Sequence, residues 1–377
     1  MRVLVLGPDH PGGSLPPYLD VLATGLRHHG VTVDRCGSSG IPYEQDRQRF
    51  HPVDRVITEA RALLEKVDLA AYDLLSVHFG NLEVDQLTPV LWADRPRPPA
   101  VYHVHTLVPT LFRDHLPDPR RHHAVRHGIR TVDGYLYFGR YARTHWAREM
   151  TGDVPAGVAW LPTTIPTGTQ PAAHPALTAA LDTPDARPVI SLYGYPAPWK
   201  DAELLQAAVE RMRVPARIVL AGDFWDDPAQ AGVDLTRATT PIRVGVGEFV
   251  VVPGYLGPAQ RAALVRASAA AVFPYRPHPS FQGSGAIADY LAHAIPVVAT
   301  DVANMAELVG GAGRIVPAGQ PVALAAAMDA IAAGGTTASE LARRASARAS
   351  RFTASTHAAR CLELYRQVLH RGVRSSA

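Results

Sequence analysis

The residues Ser280-Phe281-Gln282-Gly283-Ser284-Gly285 lead into Ala286-Ile287-Ala288-Asp289-Tyr290-Leu291-Ala292 and then into the apolar Pro296-Val297-Val298-Ala299-Thr300. This order predicts a polar glycine loop, a short helix and a buried strand. It gathers backbone N–H groups without helical partners, and the positive end of a helix dipole, at Gly283, Ser284 and Gly285, where phosphate is well held. Asp289 falls four residues after Gly285, on the same helix face and roughly 6 Å along the axis at about 1.5 Å per residue. That separation suits a nucleotide whose diphosphate caps the helix and whose ribose hydroxyls meet the carboxylate. An ordinary loop–helix–strand unit with a solvated acid is the alternative.

Three further groups of residues carry chemistry. Gly12-Gly13-Ser14 lies between the apolar run Val3-Leu4-Val5-Leu6 and a helical pattern at Leu19, Leu22, Ala23 and Leu26. Glycines there let the backbone approach a bulky anion. The turn Gly194-Tyr195-Pro196-Ala197-Pro198-Trp199-Lys200-Asp201 places Lys200 where an ammonium could neutralise diphosphate oxygens. A solvated surface lysine is the alternative. Third, His103-Val104-His105-Thr106 closes a strand, and alternation puts both imidazoles on one face. No Cys or carboxylate cluster completes a metal set there, so no metal is expected. A hydrogen bond to a sugar suits His105, and a core position is the alternative for His103. His78, at the end of the preceding strand, points to the same rim and to the acceptor.

The elements that must position these residues follow from pattern. At 377 residues the chain has length for two domains, each with its own core. Hydrophobic residues make up 47%, charged residues 19%, and the formal net charge is +3. Such a small charge over this length argues against nucleic acid as the main partner and leaves acidic small molecules such as nucleotides. Cys36 and Cys361 stand far apart, and no apolar run has membrane-spanning length. A cytoplasmic protein with no membrane anchor is the expectation.

Strands are expected at 3–6, 72–79, 100–107 and 134–138, and residues 167–186, rich in Thr, Pro and Ala, read as a linker. The pattern then restarts at Val189-Ile190-Ser191-Leu192-Tyr193, with helix 201–212, strands 217–221 and 249–252, helix 258–268, strand 270–273, helix 285–293 and strand 296–299. Alternation of this kind implies parallel sheets with right-handed crossovers. The expected architecture is α/β: two facing Rossmann-like domains, 1–168 and 187–353, joined by a linker at 169–186. A C-terminal helix within 354–377 returns to the first domain. Ligands would sit in the interdomain cleft, at the carboxyl ends of strands.

Together these residues resemble the family-4 retaining glycosyltransferases of GT-B fold. The resemblance takes in the opening at 3–27, His105, Leu161-Pro162, the glycine turn with Lys200, Ala221-Gly222-Asp223, Pro253-Gly254-Tyr255-Leu256, residues 292–300 and Glu307. The family's two glutamates, separated by seven residues, fall here on Phe281 (or Gln282, with a one-residue slip) and on Asp289. The family's arginine beside the lysine is Tyr195, and Arg276 stands as a substitute cation.

The resemblance implies transfer of a sugar from a nucleotide-diphosphate donor, with uridine as the family's usual base, to a hydroxyl of a small-molecule acceptor such as an aminocyclitol or natural-product core. The leaving phosphate would take the acceptor proton, without metal or other cofactor. Lys200, His105 and Gln282 would act at the reacting sugar. Gly12, Gly13, Gly194, Tyr195, Arg276, Gly283, Ser284, Gly285 and Asp289 would hold the nucleotide sugar, and His78, His103 and Thr106 would face the acceptor. Other readings are a sugar phosphorylase or sugar-nucleotide epimerase on the same fold, or a relative that binds nucleotide sugar without catalysis.

Overall fold

The structure is a computed structural model. It describes residues 1–9, 13–37, 58, 61–78, 96–105, 129–150, 153–166, 168–172, 174–182, 187–194, 197–223, 238–278 and 283–375. The described residues form two compact units: one from Met1–Pro162 with the C-terminal segment that starts at Ala354, the other from Thr163–His278 and Gly283–Thr353.

Unit 1 is built on the strands β1 (Arg2–Leu6), β2 (Thr32–Cys36), β3 (Leu74–His78), β4 (Ala100–Val104), β5 (Gly134–Tyr137) and β6 (Ala156–Val158). They form a parallel sheet in the order β2-β1-β3-β4-β5-β6. The central strands β3 and β4 are buried along their length because both faces are covered. Leu4, Leu6, Leu75, Val77, Tyr102, Val104, Tyr135 and Tyr137 fill one face. On the other, Val3, Val5, Leu74, Val101 and Leu136 meet α1 (Leu15–His28) and the C-terminal helix. Proline in the first turn suits the start of α1, where no helical N–H partner is lost.

The helix α2 (Arg140–Met150) precedes β6. Unit 2 opens with α3 (Pro175–Leu181) and continues through β7 (Val189–Tyr193), α4 (Ala202–Val209), β8 (Arg217–Gly222), β9 (Ile242–Val244), β10 (Gly247–Pro253), α5 (Pro258–Ala267) and β11 (Ser268–Phe273). It ends with α6 (Gly285–Ala292), β12 (Val297–Thr300), α7 (Met305–Val309), β13 (Gly313–Val316), α8 (Pro321–Ala332) and α9 (Gly335–Arg348). Its sheet runs β13-β12-β11-β7-β8-β10-β9, parallel except for the β9–β10 hairpin. The last helix, α10 (Ala354–Ser375), belongs to unit 1. Among the described residues no single helix is long and apolar enough to cross a membrane.

Two expectations about organisation are corrected. The division falls between Pro162 and Thr163, not at 168. Within the segment read as a linker, α3 is a packed element. His174 Nδ1 caps it by accepting from the Leu177 amide at 3.4 Å, and Leu177 and Ala180 are buried. The buried Arg217 guanidinium then donates to the carbonyls of Ala180 at 3.3 Å and of Asp182 at the end of the helix. A proline at the first helical position looks like a breaker in a Pro-rich stretch, yet it favours helix initiation.

Asp289 also departs from its expected place. It is fully buried on α6, and both its oxygens are occupied within unit 2. Oδ1 accepts from Thr163 Oγ1 at 2.7 Å and the Thr164 amide at 2.5 Å. Oδ2 accepts from Thr164 Oγ1 at 3.0 Å and from the Tyr193 hydroxyl. Arg261, also buried, lies 3.8 Å from Oδ2 and donates to Thr164 Oγ1 at 2.7 Å and to its carbonyl at 3.2 Å. This carboxylate offers nothing to a ribose; it fastens Thr163 and Thr164 to α6 and β7.

Two stability measurements check this packing. Asp289→Ala leaves the buried Arg261 charge without its counter-ion and should lower the urea-unfolding free energy by about 3–5 kcal/mol. In unit 1, a Cβ built at Gly25 would lie 2.5 Å from the Ala354 carbonyl oxygen and 2.9 Å from Ala358 Cβ. Gly25→Ala should therefore destabilise by about 1–3 kcal/mol through overpacking. That sign is opposite to the gain of about 1 kcal/mol that helix propensity alone would give.

Candidate functional site

The candidate site of unit 2 is assembled at the carboxyl ends of β7 and β11. Gly194 follows β7 with φ of +123°, a conformation that side chains rarely adopt, and a Cβ there would stand 2.7 Å from Lys200 Nζ. The bare backbone thus makes room for the ammonium. A 3-10 turn at Pro198–Lys200 brings the lysine back, with its amide donating to the Ala197 carbonyl at 2.8 Å. Lys200 is only partly exposed, and among the described residues no carboxylate is paired with it. Burial lowers its pKa to about 7. Such a cation has been partly stripped of water, and among the described residues it has no anion of its own.

Tyr275 connects this lysine to the helix start. Its ring centroid lies 5.9 Å from Lys200 Nζ, and its hydroxyl is 3.3 Å from Ser284 Oγ. Ser284 is the N-cap of α6 and does not cap the helix with its own side chain, so the N-terminal amides of α6 keep their capacity for an external acceptor. Gly283 packs directly on the Asn304 side chain, where a Cβ would come within 1.9 Å of Oδ1. Lys200 and Ser284, with Gly283 and Gly285 on either side of the serine, are thus joined through one buried tyrosine. Tyr275 went unnoticed in the sequence; the available signal was its place just after β11, two residues past Phe273.

Arg276, the expected substitute cation, is half-exposed and held in an ion pair. Its guanidinium donates to Asp201 Oδ1 at 2.6 Å and lies 3.8 Å from Glu203, so its nearest partners are acids of its own unit. Asp201 in turn caps α4 by accepting from the Leu204 amide at 3.1 Å. The pair braces the turn that presents Lys200.

In unit 1 the three histidines are placed differently from one another. His78 and His103 face each other across β3 and β4, with ring centroids 4.1 Å apart, and both are fully buried. Ser76, Tyr18 and Tyr365 engage the His103 nitrogens at 3.2, 3.3 and 2.9 Å. An acceptor-facing role for His78 and His103 is therefore corrected to a core role: neither ring reaches solvent. His105 is only partly buried and packs edge-on against Tyr18 at 4.8 Å. Burial holds His78 and His103 well below the usual histidine range and lowers His105 to about 3. Gly13 lies in the turn before α1. Gly12, Thr106, Tyr195 and Gln282, with Phe281, lie outside the described residues. Among the described residues no group of three His, Cys, Asp or Glu is placed to hold a metal ion.

Comparison with known proteins converges on one group. Residues 187–333 match the family model "Glycosyl transferases group 1". No curated protein matches the chain by sequence. Among solved structures, a sucrose-phosphate synthase from Thermosynechococcus elongatus superposes with a TM-score of 0.70 at 16% identity, covering 98% of this chain and 99% of that one. Anabaena HepE in complex with UDP and glucose gives 0.66 at 19% identity, covering 96% and 98%. AviGT4, a glycosyltransferase involved in avilamycin A biosynthesis, gives 0.58 at 17% identity, covering 98% of each chain. The two parallel α/β sheets are those of GT-B glycosyltransferases. The second unit thus matches the glycosyl transferases group 1 over residues 187–333, and the fold of the chain is that of the GT-B structures it superposes on.

Proposed function

We propose that this protein is a retaining glycosyltransferase that moves a sugar from a UDP-sugar to a hydroxyl of a small-molecule acceptor, such as a natural-product core. The observation that carries this reading is Lys200: a desolvated amine with no carboxylate partner among the described residues, linked through Tyr275 to the N-terminus of α6. Transfer of a glycosyl group needs charge stabilisation where the diphosphate departs. One lysine and the amides at Gly283–Gly285 supply it without reorganisation, at about 3 kcal/mol for each well-placed donor. The bound UDP and glucose of the HepE structure support the choice of donor, and the biosynthetic role of AviGT4 supports the class of acceptor. In this reading the ribose contact passes from Asp289 to other groups of unit 2.

Two measurements test the reading. Lys200→Ala should lower kcat in a coupled UDP-release assay by about 10²–10³-fold, the loss typical of one preorganised donor, while the melting temperature holds. Unchanged turnover would remove Lys200 from the site. The second is pH dependence. The free lysine has a pKa of about 7, and an arriving phosphate raises it, because an opposite charge favours the protonated form. Binding of UDP should take up a proton, and its affinity should fall by up to about tenfold per pH unit above roughly pH 7. Calorimetry in buffers of different ionisation enthalpy reads both effects, and Lys200→Ala should abolish the proton uptake.

A further inference from the structure

The core of unit 1 carries a polar cluster that the transfer reaction, as read above, does not use. Strand alternation puts Ser76 and His78 of β3, and His103 and His105 at the end of β4, on the face that packs α1 and α10. Tyr18 from α1 and His357, Cys361 and Tyr365 from α10 close over them. Buried polar groups of this kind are kept only when each finds a partner. Here the partners form one continuous chain.

The direction of that chain can be worked out from proton counting. Burial keeps the four imidazoles neutral, so each ring carries one N–H and one lone pair. The Trp160 carbonyl can only accept, so His357 Nδ1, at 2.8 Å, carries the proton. His357 Nε2 is then an acceptor, and the Tyr18 hydroxyl donates to it at 2.9 Å. With that proton committed, the Tyr18 oxygen accepts from His103 Nδ1 at 3.3 Å, which leaves His103 Nε2 as an acceptor.

His103 Nε2 meets two hydroxyls, Tyr365 at 2.9 Å and Ser76 at 3.2 Å, which are themselves 2.7 Å apart. One of them donates to His103, and the proton of the other fills the contact between the two oxygens. Either way Ser76 has no proton left for His78. His78 Nε2 therefore donates to Ser76 Oγ at 2.8 Å. His78 Nδ1 becomes an acceptor, and His105 Nε2 donates to it at 3.2 Å.

We propose that this one-way chain of hydrogen bonds, anchored on the Trp160 carbonyl, holds His105 as its Nε2–H tautomer and leaves Nδ1 as an acceptor for a substrate hydroxyl. Ser76, His78 and His103 are positioning residues: they act on a substrate only through His105. The identity of the hydroxyl, as one belonging to a sugar or an acceptor, rests on the glycosyltransferase reading. The tautomer does not.

The test is a long-range ¹H–¹⁵N spectrum of the full, ligand-free chain labelled at histidine, recorded near neutral pH, with the His105 signals assigned by their loss in His105→Gln. The expected result is one neutral form of His105 with its proton on Nε2. Tyr365→Phe should keep that form, because Ser76 still reaches His103, and Ser76→Thr should keep it by retaining the hydroxyl. Ser76→Ala should give a mixture of both tautomers. A His105 proton on Nδ1 in the wild type, or a mixture there, would overturn the proposal, as would an unchanged single form in a folded Ser76→Ala. If Ser76→Ala does not fold, the wild-type and Ser76→Thr spectra decide. No nucleotide or acceptor is needed, so failure here is distinct from failure of the transferase reading.

Discussion

The carboxylate of Asp289 is the constraint on which unit 2 depends. Fully buried, it must be met by donors wherever it points, and it takes them from Thr163, Thr164 and Tyr193 while Arg261 balances its charge. These contacts join the first residues of the unit to α6 and to the last residue of β7. The start of α6 and the turn after β7 are thus held by one charge, and these are the two places from which Ser284 and Lys200 emerge. An acid at this position that looks like a ligand group is here a fastener. A buried ion pair of this sort contributes little net stability against an apolar alternative, yet it is costly to break from one side.

That rigidity matters because the lysine it frames is in an unfavourable state. An ammonium surrounded by protein loses hydration, and its pKa falls to about 7 for that reason. Nearby acids could relieve the cost, but Asp201 is already bound to Arg276 and to the α4 amide of Leu204. Among the described residues the arrangement pairs no carboxylate with Lys200, and the nearby N-terminus of α6 adds a dipole that also favours an anion. Both features reward the same ligand chemistry.

Much of the fold was legible because buried parallel strands announce themselves as short apolar runs: β1, β8, β11 and β12 fall within a residue or two of their expected bounds. What stayed hidden depended on distance along the chain. The partners of Asp289 stand 125 and 96 residues away, so nothing around position 289 could show that its oxygens are taken. The burial of Lys200 arises from Gly194 and Tyr275, and lysine's usual exposure pointed the other way. The β9–β10 hairpin was missed because three short residues, Ile242–Val244, leave too brief an alternation to read. In α3, proline and threonine obscured a helix that is secured by Arg217 from elsewhere in the unit.

The membership of α10 in unit 1 has a consequence for the order of biosynthesis. Residues 354–375 supply Ala358, Cys361, Leu362, Tyr365 and Val368 to a core whose other walls come from the first 160 residues. Until that helix leaves the ribosome, the part of this face that α1 does not cover, beside Ser76 and His103, lacks its Tyr365 and His357 partners. Unit 2 is encoded in between and needs no later segment, so it can reach its native form while its predecessor still waits. The nascent chain therefore matures from the middle outward, and the interval before its last helix appears is when it most needs protection from aggregation.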